Sequence, residues 1–313
     1  MSSSRAGILY GFAAYGLWGL LPLYWALLDH VGSLEVLAHR VVWSLLVVLV
    51  ILALTRRLGR LRGLGPRAYT LLCVAGLIMT VNWGTYIWAV SQGRVIETSL
   101  GYFINPLVTV LVAVIVLRER LRRPQWVAMA IALVAVVILT VNYGQLPWIG
   151  LTLAFTFSFY SLIKKKLRVP AVESVAVESA AVFLPALIFL LTLQFTGDAD
   201  FGHVDLGTDL LFVATGVATA VPLLLFAAAA SRAALSTLGL MQYLGPTIQF
   251  MIGLFVFNEE VPPVRFIGFG LVWVALVIFT ADALHHRRRR LAGTVATATV
   301  PPKPPPSSLA PEP

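Results

Sequence analysis

The chain alternates long apolar blocks with short polar segments, and ten of the blocks read as helices. We place them at about 7–28, 36–55, 69–90, 98–117, 125–141, 147–163, 174–196, 210–230, 235–257 and 264–283. A bilayer core is crossed by ~20 apolar residues rising ~1.5 Å each. In hydrocarbon every backbone N–H and C=O needs a partner within its own segment, which makes helix the default. The period-two alternation of a membrane barrel is absent from these blocks. The pattern predicts an all-α integral membrane protein with ten transmembrane helices.

Composition agrees. Of 313 residues, 59% are hydrophobic and 12% charged, with a mean hydropathy of +0.88. A soluble domain carries about 25% charged residues. The apolar block at 7–28 is too long for the core of a cleaved signal peptide and reads as a first span. The single cysteine, Cys73, lies inside an apolar block and reads as a small buried hydrophobe.

The net charge of +9 changes meaning once its placement is seen. Twenty of the 23 Lys and Arg residues fall on one side, in the 56–68, 118–124, 164–172 and 231–234 loops and the two termini. Arg94 and Arg265 fall on the other side, and Arg40 lies within a span. By the positive-inside rule both termini are cytoplasmic. The segment GDADFGHVDLGTD at 197–209 carries four aspartates and no basic residue, as an outer loop should. The basic balance is thus a topology signal. Nucleic-acid binding is excluded, because no soluble basic face exists.

Two stretches align without a gap: LGYFINPLVTVLVAVIVLRERL at 100–121 and LMQYLGPTIQFMIGLFVFNEEV at 240–261. Pro106 pairs with Pro246, and Glu119 with Glu259, at a common offset of 140 residues (246 − 106). That offset is five spans, and an odd number of spans inverts the second copy. The domains expected are a cytoplasmic N-terminus at 1–6, a first five-helix repeat at 7–141 and an inverted repeat at 146–283. A basic, then Pro-rich, disordered cytoplasmic tail follows at 284–313. Inverted repeats with a site near the midplane are a secondary-transporter architecture.

LAHRVVWSLL at 37–46, NWGTYIWAVSQGRVIETSLGYFINPL at 82–107 and the RERL corner at 118–121 carry a resemblance. They resemble the drug/metabolite transporter superfamily in its EamA branch, most specifically over 82–121. The resemblance spans about 7–283 and is looser in the second half, where MQYLGPT carries it. It implies a multi-pass protein of the bacterial cytoplasmic membrane and a small-molecule permease, often an exporter. It also implies that the third, fourth, eighth and ninth spans line the cavity, and that an Arg in the second span is a family feature.

Polar groups within spans are the site candidates, because an unpaired polar group in lipid is costly. Asn82 and Tyr86 lie four apart on one helix face in NWGTYIWAV, and Gly84 allows close approach. An interfacial aromatic belt is the competing reading for Tyr86 and Trp88. In GYFINP, Tyr102 and Asn105 precede Pro106, which removes a helical hydrogen bond and frees the carbonyl of Tyr102. A repaired structural kink is the competing reading. The second copy offers Gln242, Tyr243, Pro246 and Gln249, and Tyr160 joins from the sixth span. Together Asn82, Tyr86, Tyr102, Asn105, Tyr160, Gln242, Tyr243 and Gln249 are the candidate substrate-binding residues, and Pro106 and Pro246 the candidate kinks.

Glu35, His39 and Arg40 open the second span and form a candidate gating or coupling group. Glu35 and His39, four apart, have hydrogen-bonding spacing. Arg40 has room to snorkel or to pair with a carboxylate, and Glu97 is one candidate partner. Two roles stay open for Arg40: a structural or gating charge, or direct anion binding, with His39 as a proton carrier. The matching span of the second half carries Glu173 and Glu178, an acid near where the first half has its Arg.

No G-x-x-x-x-G-K-[ST], HExxH or GxSxG pattern occurs, so ATP hydrolysis and these enzyme classes are not expected. No catalytic residue, metal or cofactor is assigned. The function expected is secondary transport of small amphipathic metabolites or drugs by alternating access, with the bilayer, the cargo and protons as partners. Import of the same solutes, or a membrane scaffold or sensor, are the alternatives.

Overall fold

The computed structural model describes residues 3–117, 121, 123–144, 146–167, 169–230, 232 and 241–298. Every regular element among them is helical. In chain order they are α1 (Ser3–Ala26), α2 (Ser33–Leu54), the single turn α3 (Gly59–Arg62), α4 (Pro66–Ser91), α5 (Val95–Leu117) and α6 (Arg123–Tyr143). They continue as α7 (Trp148–Leu167), α8 (Ala171–Thr196), α9 (Leu206–Ala230), α10 (Leu244–Phe255) and α11 (Pro263–Ala298).

Seven helices are long and apolar enough to cross a bilayer: α1, α2, α4, α5, α6, α8 and α9. Three shorter apolar stretches, Trp148–Lys164, Leu244–Phe255 and Phe266–Asp282, lie on α7, α10 and α11. Large apolar side chains face outward along these helices, among them Leu133, Val137 and Val141 on α6 and Leu184, Ile188 and Phe195 on α8. A soluble protein rarely exposes such continuous apolar surface, and lipid is the solvent that suits it. The chain is an all-helical, multi-pass integral membrane protein.

The packing partners are regular. α2 and α8 lie against each other, α2 also packs on α9, and α8 on α4. α1 packs on α9 and α10, while α7 packs on α4 and α5. α6 pairs with α11, and α5 with α10. Phe103, Leu107, Ala132, Leu139, Phe250 and Phe269 belong to one buried cluster that joins α5, α6, α10 and α11. Two glycines set the closest approaches at the centre. A Cβ on Gly76 of α4 would meet the Glu178 carbonyl of α8 at 2.4 Å, and one on Gly216 of α9 would meet the Trp43 carbonyl of α2 at 2.5 Å. Only glycine lets these backbones touch.

One boundary differs from expectation. The helix that ends the chain's apolar part runs on to Ala298, past the break expected at 283. Leu, Arg and Ala are strong helix formers, and no proline interrupts the run before Pro301. Residues 299–313 lie outside the described residues, as do Glu119 and most of the 231–240 segment that begins the predicted ninth span.

Candidate functional site

Consecutive residues on a helix point ~100° apart, and this separates Arg40 from His39. Arg40 is 5% exposed. Its guanidinium carbon lies 4.2 Å from the centroid of the Trp83 ring (α4) and 5.1 Å from that of Trp25 (α1). Tyr24, Tyr86 and Tyr102 are close enough to interact with it electrostatically. Tyr86 and Tyr102 meet edge to face at 5.8 Å. Neither the Arg40 Nε nor the Tyr86 hydroxyl has a hydrogen-bond partner among the described residues, and both are buried. Burying an ion costs several kcal/mol even after relaxation, and a desolvated cation–π contact returns ~2 kcal/mol. The two indoles therefore offset part of the cost and leave the guanidinium N–H fork without an acceptor.

His39 faces the other way. Its ring packs at 4.2 Å from Phe212 of α9 and 4.8 Å from Phe201 of the α8–α9 loop. The Trp43 indole N–H donates to His39 Nδ1 at 3.3 Å. The expected hydrogen bond to Glu35 does not form, since His39 Nε2 stands 3.8 Å from Glu35 Oε1. Glu35 is occupied by the loop backbone: its carboxylate accepts the N–H groups of Asp200 at 3.1 Å and Phe201 at 3.2 Å. A buried carboxylate takes backbone donors in preference to a neutral ring.

Glu97 does not meet Arg40. Arg94, three residues before it, holds both carboxylate oxygens at 2.8 Å. Their shared helix turn brings the pair together at no cost in loop closure, and a forked contact of this kind is strong.

A second charged group is buried on α8. Glu178, 3% exposed, accepts from Lys164 at 2.9 Å, Ser174 at 2.7 Å and Tyr160 at 3.2 Å. Lys164 also donates to Ser174 and lies over the Tyr160 ring. Glu173, one turn earlier, is buried with Arg60 at 3.5 Å. Counted along their helices, Glu35 and Glu173 are both third, and Arg40 and Glu178 both eighth.

The other polar candidates are built into helix contacts. Asn82 donates to the Leu153 carbonyl at 3.1 Å and to Thr156 at 2.8 Å, joining α4 to α7. The Asn105 side-chain oxygen accepts from Ser158 at 3.0 Å, and Ser158 shares a hydrogen bond with Thr109. Gln249 donates to the Trp18 carbonyl at 3.2 Å and joins α10 to α1. Tyr243 lies close enough to Gln242 and to Thr280 of α11 to interact with them electrostatically. Pro106 lies inside α5, whereas Pro246 is the third residue of α10, in the first turn, where a proline removes no helical hydrogen bond and makes no interior kink. Tyr86 is 3% exposed and sits against Arg40, so it is not part of an interfacial belt. Trp88 stacks on Trp148 at 5.4 Å. Glu259 accepts the Val95 and Ile96 N–H groups at 2.5 and 2.9 Å and thereby caps α5. Among the described residues no cluster of three or more His, Cys, Asp or Glu side chains has metal-binding geometry.

Sequence reasoning missed Trp25 and Tyr24 beside Arg40, and Lys164 and Ser174 beside Glu178. No local motif marks them. The only available signal was that an intramembrane charge needs a partner from another span.

Comparison with known proteins places this arrangement. Residues 5–141 match the EamA-like transporter family. Protein RarD of Streptomyces exfoliatus is 52% identical over 289 residues, 92% of each chain. The chain belongs to the EamA-like transporter family. Within that family its relatives include RarD proteins. Protein RarD of Escherichia coli strain K12 is 39% identical over 287 residues, covering 91% of this chain and 97% of that one. A solved crystal structure superposes with a TM-score of 0.57 at 21% identity, over 91% of this chain and 99% of that one. At that identity the match concerns the fold alone. The EamA-like membership makes this chain a membrane transporter, and Arg40 with the buried Trp25 and the half-buried Trp83 is its most unusual intramembrane cluster.

Proposed function

We propose that the chain is a secondary transporter that moves small amphipathic solutes outward across the bacterial cytoplasmic membrane by alternating access. In this reading α7, α10 and α11 also cross the bilayer. The ten helices other than the single turn α3 form two inverted repeats of five, with both termini cytoplasmic. The observation that carries the reading is the exchange of packing partners. Replace α1, α2, α4, α5 and α6 by α7, α8, α9, α10 and α11 in order, and the contact of α1 with α9 becomes that of α7 with α4. The contact of α2 with α9 becomes that of α8 with α4, and that of α5 with α7 becomes that of α10 with α1. Gly76 and Gly216, which make the equivalent close approaches, are 140 residues apart. Repeats related in this way can rock about the α2–α8 contact and open a midplane site to either side.

Glu35 is a gate residue in this scheme, since it holds the 200–201 backbone onto α2. Glu173 and Arg60 do the same at the opposite end. Asn82, Asn105 and Gln249 hold the cavity wall together, and Tyr86 and Tyr102 face the cargo. The test is flux through proteoliposomes with a panel of amino acids and neutral aromatic amides, with and without an imposed pH gradient. Saturable flux, slowed in Glu35→Gln, supports the reading. Folded protein that passes no member of such a panel overturns it.

A further inference from the structure

Arg40 poses a problem that neither the fold nor the transport reading resolves. Four helices surround its guanidinium, and none has a free acid to give it. α1 and α4 contain no Asp or Glu at all. The only acid on α2, Glu35, is occupied by the Asp200 and Phe201 backbone. The only acid on α5, Glu97, is held by Arg94. Arg40 Nε has no hydrogen-bond partner among the described residues, and the Tyr86 hydroxyl beside it is also unpartnered. What the box does offer is aromatic surface: Trp25 and Trp83 near the guanidinium, with Tyr86 and Tyr102 at right angles to each other beside it.

We infer that this box is an anion subsite, which takes the carboxylate of an aromatic acid cargo on the Arg40 guanidinium and its ring among the surrounding aromatic side chains. The planar N–H fork of an arginine matches two carboxylate oxygens at once. The Tyr86 hydroxyl adds a neutral donor. The indoles keep the cation in a dry site while the cargo is absent. The inference rests on the transporter reading and narrows it from amphipathic solutes to aromatic acids.

The probes are phenylacetate and phenylacetamide, which share ring and size and differ in charge. Calorimetric titration of the full detergent-purified chain is expected to show the acid binding about ten-fold or more tighter than the amide, the scale of one charge-assisted bond. Arg40→Gln is expected to remove that preference by weakening the acid far more than the amide. If Arg40→Gln does not fold, Arg40→Lys decides: it keeps the charge, loses the fork, and narrows the preference by weakening the acid more than the amide. Equal binding of acid and amide, an acid preference undiminished by these substitutions, or no heat from either probe at millimolar concentration overturns the inference. Proteoliposome flux separates the two failures. Flux of neutral solutes without any acid preference removes the subsite and leaves the transporter. No flux of any solute removes the transporter, while the binding ratio is still read by itself.

Discussion

Arg40 and Glu178 are each the eighth residue of their helix, α2 and α8, and the protein treats them in opposite ways. Glu178 is met by Lys164, Ser174 and Tyr160, and each contact is a hydrogen bond. Arg40 is met by the faces of two indoles and by no acceptor among the described residues. A charge that a fold needs for its own integrity is given partners, because a buried ion left bare is destabilising. A charge held in aromatic packing with its donors open contributes little to that integrity. The contrast separates a charge tied into the packing from one left open to a ligand in the proposed reading, although each is the eighth residue of its helix.

The sharpest way to break the comparison is Glu178→Ala. It strands the Lys164 ammonium, and removing one member of a buried pair costs about 3–5 kcal/mol, so thermal unfolding in detergent should show a large loss. If Glu178→Ala is as stable as the parent, Glu178 is no strut. Next in size is Gly76→Ala. Its methyl group would stand 2.4 Å from the Glu178 carbonyl, and overpacking of this kind costs about 1–3 kcal/mol. Gly216→Ala, at 2.5 Å from the Trp43 carbonyl, should match it, and unequal losses would mean that the two halves are not packed alike.

Arg40→Met is expected to lie within about 1 kcal/mol of the parent in stability, since the lost cation–π contacts and the removed desolvation cost oppose each other. Its transport of aromatic acids should nevertheless fall. A Tm loss as large as that of Glu178→Ala would make Arg40 a strut as well. The smallest effect belongs to Asp205, a control outside the membrane. Hydrogen bonds from the Thr208 backbone and hydroxyl hold its carboxyl below the usual carboxylate range. Its contribution is therefore present at neutral pH and lost only as the pH falls through that depressed value. Asp205→Ala should lower Tm slightly at neutral pH and not at strongly acid pH. A loss that persists in acid would assign its effect to something other than the charged cap.

Much of this was legible in the chain. Apolar length set the membrane class and the positions of the long helices, because transfer into lipid depends on local composition. The acids at the starts of α2 and α8, and Arg40 itself, stood out as residues that a lipid-bathed helix does not carry by default. The polar candidates were legible only as a set. Asn82 and Asn105 were visible as buried amides, but Thr156 and Ser158, which tie them to α7, lie some fifty to seventy residues away in sequence.

What the sequence by itself determined is the kind of molecule: helices in a bilayer, biased in charge from one face to the other, within a transporter family. What the tertiary structure decided is which groups meet. LAHRVVWSLL contains His39 and Arg40 side by side, and helical rotation alone says that they diverge. Only packing shows that His39 lies among Phe201, Phe212 and Trp43, with Arg40 between Trp25 and Trp83. Only packing shows Glu97 on Arg94 instead of Arg40. Burial in lipid is a property of each segment and sums along the chain, whereas a partner is chosen by another helix. Nothing local to Arg40 records that the helices around it bring rings and no free acid.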